Sequence, residues 1–108
     1  MSTTNGSSMT MSEMQAMMPE ISKAFGPFFQ ALMKDGALSV KTKELIAVGI
    51  AVAVKCEPCI TAHVEKAVQA GANRAELMEA AGVAVLMGGG PAYTHAPLVG
   101  KALAKLGA

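Results

Sequence analysis

The sequence predicts a small all-α domain. Three observations point there. Of its 108 residues 52% are apolar, with one Tyr, three Phe and no Trp. The apolar content is therefore Ala, Val, Leu, Ile and Met, a palette that favours helices over the aromatic and Thr-rich composition of sheets. Apolar residues recur at helical rather than alternating spacing, and pairs of capping residues precede several of these runs.

The elements follow in chain order. Met1 to Ser8 is polar and rich in Gly and Ser, and is expected to be a disordered tail ahead of one helical domain over 9–108. Thr10 with Glu13, and Ser12 with Gln15, fit a capping box. Met14, Met17, Met18, Ile21 and Phe25 continue at helical spacing until Gly26-Pro27, which is expected to bend or break the helix. A second segment, Phe28 to Lys34, closes at Asp35-Gly36. The methionines here read as core or interface filler. Ser39 is the candidate N-cap of a helix from Val40 to Lys55. From Leu45 to Val54 that helix is apolar all round, which predicts burial on nearly every side. A helix then starts near Pro58, where no backbone N–H is needed, and ends at Ala70-Gly71. Asn73 with Glu76 caps the next, whose stripe is Leu77, Ala81, Ala84 and Met87, and Gly88-Gly89-Gly90-Pro91 stops it. A last helix fills Ala92 to Leu106, with Pro97 either kinking it or marking its start.

Composition also excludes partners. Charged residues are only 16% of the chain, so a small globule is left with spare apolar surface, and a homo-oligomer is expected. The net charge of +1 comes from interspersed acids and bases with no basic stripe, which argues against nucleic acid. The ten-residue run Leu45 to Val54 is too short to cross a bilayer, which takes about 20 residues. The N-terminus lacks the basic and apolar regions of a secretion signal, so the expected location is the reducing cytoplasm. Two Cys three apart in that compartment read as redox-active or metal-binding rather than as a structural staple.

Those two are Cys56 and Cys59, in Cys56-Glu57-Pro58-Cys59. At this spacing, at a helix start, two sulfurs come within disulfide range. A helix N-terminus also favours the thiolate, which is the reactive form. His63 lies four residues after Cys59, on the same helix face. It can take the thiol proton, which makes Cys59 the candidate nucleophile and Cys56 the resolving partner that closes the disulfide. Inert core cysteines and a zinc site with His63 as third ligand are the competing readings, and no fourth zinc ligand is placed by local spacing. His95 and Tyr93 read as structural or pocket-lining. Glu44 opens the long apolar helix, where a carboxylate also favours the helix dipole. It precedes Cys56 by twelve residues, roughly 18 Å of helix at 1.5 Å per residue. A simple hairpin leaves it about 8 Å short of His63 along the axis, to be bridged by water or closed by crossing helices.

Taken together, Lys41-Thr42-Lys43-Glu44-Leu45-Ile46, Cys56-x-x-Cys59-x-x-x-His63, Ala70-Gly71-Ala72 and Met87-Gly88-Gly89-Gly90-Pro91 resemble the carboxymuconolactone decarboxylase superfamily. They are most similar to its alkylhydroperoxidase D-like branch, over about Phe25 to Leu106. The resemblance implies a helical alkylhydroperoxidase D-like fold assembled as a trimer or hexamer. It implies peroxide reduction by a cysteine pair without metal, haem or other cofactor. By the same resemblance Cys59 is peroxidatic, Cys56 resolves, and Glu44 and His63 form a proton relay. A lipoyl-bearing or thioredoxin-like dithiol protein would return the electrons. The decarboxylases proper lack the cysteine pair, so the resemblance does not point to lactone decarboxylation. One departure stands out: the branch carries a further histidine just before the second cysteine, where this chain has Pro58. A non-peroxidase disulfide oxidoreductase, a redox sensor or a metal-binding module would use the same residues.

Overall fold

The computed structural model describes residues 8–108, and these form seven helices with no strand among them. Apart from Ser8, the tail expected at 1–8 lies outside the described residues. The chain divides into two compact units at Lys34/Asp35.

The first unit holds α1 (Met11–Met17) and α2 (Pro19–Leu32). The Thr10–Glu13 capping box forms as expected, with Thr10 Oγ1 accepting from Glu13 N–H and Glu13 Oε1 accepting from Thr10 N–H. The break, however, falls at Met18 and not at Gly26-Pro27. Pro19 drives Met18 out of helical geometry and then takes a first-turn position that needs no N–H. Pro27 sits inside a helix that continues to Leu32, so Phe28 to Lys34 is not a separate segment. Its missing donor frees only the Lys23 carbonyl, on an exposed turn where water can take it. Neither helix has a buried residue.

The second unit, Asp35–Ala108, carries the core. It contains α3 (Val40–Ala53), α4 (Glu57–Gln69), α5 (Arg74–Gly88), α6 (Gly90–His95) and α7 (Pro97–Leu106). Ser39 caps α3 through its hydroxyl, and Asn73 with Glu76 closes a full capping box on α5. α3 is the central helix, packed on α4, α5 and α6, while α7 covers α4. Val48, Val52, Ile60, Val64, Leu77, Val99 and Leu103 are fully buried where these helices meet. α3 and α5 run parallel: Lys41 pairs with Glu76 at one end, Gly49 lies against the Ala80 carbonyl midway, and Gly88 lies against Ala53 at the other. Gly88 has to be glycine, because a Cβ there would sit 2.9 Å from that of Ala92 in α6.

One further expectation is corrected here. The apolar α3 is not buried on every side within the chain. Val48, Ala51 and Val52 face the core, whereas Ile46 and Ile50 on the opposite face are about half exposed. Of the two readings of Pro97, the structure takes the second: Pro97 starts the last helix, and the residues before it form the short α6.

Glu76 shows how the start of α5 is held. Its carboxylate accepts from Lys41 Nζ at 2.9 Å and from Asn73 N–H at 3.0 Å, and the Lys41 contact, ahead of the Asn73 one, pulls its pKa below the usual 4.5. A carboxyl with a depressed folded pKa stabilises above its unfolded value and loses that contribution as pH falls through the folded one. Glu76→Gln is therefore expected to lower the melting temperature at pH 7. The difference from wild type should shrink below pH 4.5. Thermal melts across this range check it, and a pH-independent difference would contradict it.

Candidate redox site

The site is assembled at the α3–α4 junction. α3 ends in a Schellman motif: Lys55 N–H donates to the Val52 carbonyl at 3.1 Å and Cys56 N–H to the Ala51 carbonyl at 3.0 Å. This closure needs a left-handed residue, and Lys55 supplies it with φ of 60°. A side-chain-bearing residue pays roughly 1 kcal/mol for that conformation. The sequence reading did not single out Lys55, and only a glycine there would have signalled the motif. The turn delivers Cys56 to the N-cap of α4, where its Sγ accepts from Cys59 N–H at 3.3 Å. Pro58 lies in the first turn of α4, where its lack of a donor costs nothing.

Cys56 and Cys59 are joined in a disulfide, with Cα atoms 5.2 Å apart. Both residues are partly buried, so the pair is neither sealed in the core nor loose on the surface. In this form no thiolate is present to ligate a metal. Among the described residues no group of three or more His, Cys, Asp or Glu converges as a metal site would require.

One turn beyond Cys59, His63 sits on α4 with its side chain about a quarter exposed. Glu44 reaches it directly from α3: Oε1 lies 2.7 Å from His63 Nδ1. No water is needed to bridge the gap left by a hairpin estimate. That estimate carried α3 to Lys55, but the helix stops at Ala53 and the Schellman turn takes up the remaining residues. Glu44 is the buried charged residue of the core, 3% exposed, and no buried side-chain oxygen or nitrogen among the described residues lacks a partner. With a carboxylate as acceptor, Nδ1 carries the proton and Nε2 is left as the basic nitrogen. The arrangement can thus hold an imidazole in one tautomer on a helix that starts with two cysteines.

The structure joins Cys56 with Cys59 and, separately, Glu44 with His63. His95 makes a local contact, its Nδ1–H donating to the Pro91 carbonyl at 2.9 Å within α6. Tyr93 is largely exposed.

The Glu44–His63 contact implies an energetic asymmetry. Removing one partner strands a buried carboxylate, whereas replacing both leaves none. His63→Ala is expected to cost about 3 kcal/mol in urea unfolding, and Glu44→Leu/His63→Leu less than that. A double variant at least as unstable as His63→Ala would contradict this account of the pair.

Comparison with known proteins agrees with this architecture. The model of the carboxymuconolactone decarboxylase family matches residues 19–102. Protein 4 of the cox locus of Paracoccus denitrificans is 44% identical over 86 residues, 80% of this chain and 75% of its own. A Cupriavidus necator protein is 37% identical over 78 residues, 72% of this chain and 69% of its own. A crystal structure of a carboxymuconolactone decarboxylase family protein from Legionella pneumophila superposes with a TM-score of 0.81 at 42% identity, covering 90% of this chain and 87% of that one. A second family member, from Thermotoga maritima, gives 0.73 at 32% identity over 80% of this chain and 89% of that one, and its description links it provisionally to an antioxidative response. The all-helical fold, the extent of the family match and these relatives place the chain in the carboxymuconolactone decarboxylase family.

Proposed function

We propose that this protein is a thiol-dependent peroxidase of the alkylhydroperoxidase D-like kind. The observation that carries the reading is the pairing of a closed Cys56–Cys59 disulfide with a His63 oriented by a buried Glu44 one turn further along the same helix. The antioxidative link of the Thermotoga maritima relative supports it. In this reading the protein is an oxidoreductase that needs no metal or cofactor, works in the cytoplasm, and assembles with copies of itself as a trimer or hexamer.

The reaction starts from the dithiol. His63 Nε2 takes the Cys59 proton, and Glu44 stabilises the imidazolium through Nδ1. The Cys59 thiolate attacks the terminal oxygen of a hydroperoxide, the O–O bond breaks, and the alkoxide leaves as an alcohol with the proton from His63. Cys59 is now a sulfenic acid. Cys56 attacks its sulfur, water leaves, and the disulfide forms. Two electrons from a dithiol donor, such as a lipoyl-bearing or thioredoxin-like protein, restore both thiols. Pro58 offers no second relay group, so the whole proton traffic falls to His63.

A second reading is favoured by one feature. The Cys56 sulfur is the N-cap of α4 and accepts a backbone N–H. A leaving thiolate is stabilised there, as a disulfide oxidoreductase requires. Titration of the reduced protein with cumene hydroperoxide and with hydrogen peroxide separates the two. Peroxidase chemistry predicts stoichiometric thiol loss and an intramolecular disulfide in wild type and no turnover in Cys59→Ser. It also predicts a fall of roughly 10²-fold or more in Glu44→Gln/His63→Asn. Disulfide formation with a thiol oxidant but not with either peroxide would overturn the peroxidase reading in favour of the second.

A further inference from the structure

α3 and α5 enclose a shallow apolar trough of about 530 Å³. Its floor is made of small residues, Gly49, Ala53, Ala80 and Ala84, because the two helices approach closely at Gly49. Its rims are Ile46 and Ile50 on one side and Val83 and Met87 on the other, 47–80% exposed. The residues that α3 turns toward the trough lie on the face opposite Glu44, so the trough is separate from the cysteine pair.

The same chain carries a matching ridge. On α2, Ile21, Phe25, Phe28 and Leu32 fall at successive i, i+4, i+7 and i+11 positions, a single narrow stripe. Each is more than half exposed. The stripe covers twelve residues, roughly 16 Å of helix between its ends, and the α3 wall of the trough, Thr42 to Ala53, also covers twelve. Bulky ring side chains on a ridge and small residues on a floor are complementary shapes.

We propose that α2 of a second copy of this chain lies in the α3–α5 trough, each copy donating one helix and receiving one. The area supports a second copy as the occupant. At 150–250 Å² for each phenylalanine and somewhat less for each aliphatic side chain, the exposed parts of stripe and rims together would bury roughly 900 Å² per docked helix. A pair of copies exchanging helices in both directions, the unit from which a hexamer of three pairs can be built, buries about 1,800 Å², inside the range of about 1,200–2,000 Å² for a stable interface. Contiguous apolar surfaces of this size are rarely left facing water. The inference rests on the self-assembly included in the proposed function and names the surfaces that make it.

The test uses two variants of the full chain. Phe25→Glu/Phe28→Glu spoils the ridge and leaves the trough intact, whereas Ile50→Glu/Val83→Glu spoils the trough and leaves the ridge. All four side chains are more than half exposed, so both variants are expected to keep wild-type helical circular dichroism. In sedimentation equilibrium, wild type should exceed the 11.0 kDa of one chain and each variant alone should fall to it. An equimolar mixture of the two should form a 1:1 complex, because one intact ridge and one intact trough remain. An oligomeric wild type whose variants keep their mass, or variants that stay monomeric when mixed, would overturn the docking while leaving self-assembly standing. A monomeric wild type would overturn both.

Discussion

A carboxylate inside a small helical core has to be paired, and the arrangement of this site follows from that requirement. Glu44 is on the core face of α3, and the partner within reach is His63 on α4, at 2.7 Å. Satisfying Glu44 fixes where α4 lies along α3. It also fixes the ring that stands one turn beyond Cys59 and the nitrogen of that ring that remains basic. The register of the hairpin and the orientation of the imidazole are thus set by one contact. An ion or hydrogen-bonded pair in such a place contributes little net stability against an apolar pair of the same volume.

The turn between the two helices has the complementary task. The Schellman closure at Lys55 and Cys56 ends α3 and starts α4 within three residues, leaving Cys56 as an N-cap and Cys59 in the first turn. A strained left-handed Lys55 and a proline at the position after Glu57 are the local features that make this possible. Cys56 therefore meets the positive end of α4 directly, whereas Cys59 has His63 one turn away. The two sulfurs differ in surroundings although they are three residues apart, and the roles proposed for them rest on that difference.

Much of this could be read from the chain because it is written in local signals. Thr10, Ser39 and Asn73 cap the helices they were expected to cap, Gly71 and Gly89 end the ones before them, and the cysteine pair with His63 four residues on stands out by type and spacing, whereas Glu44 is picked out only by the family resemblance. What could not be read depends on tertiary context. Pro27 looks like a breaker, but an exposed turn tolerates it, while Pro19 moves the break to Met18. Nothing local marks Lys55 as left-handed. The direct Glu44–His63 contact depends on where α3 stops and how the turn is built, neither of which helical periodicity specifies. The apolar run of α3 reads as burial on all sides, but half of that burial is absent within one chain, and the exposed half forms a wall of the trough.

The central claim is that Cys59, served by His63 and Glu44, is the sulfur that peroxide oxidises. Trapping the sulfenic acid tests it most directly. Cys56→Ser, which cannot close the disulfide, would be treated with one equivalent of cumene hydroperoxide in the presence of dimedone and its adduct mapped by peptide mass. The account predicts a dimedone adduct on Cys59 in this variant, and far slower labelling of Cys56 when Cys59→Ser is treated in the same way. Faster labelling of Cys56, or no adduct on Cys59, would contradict it.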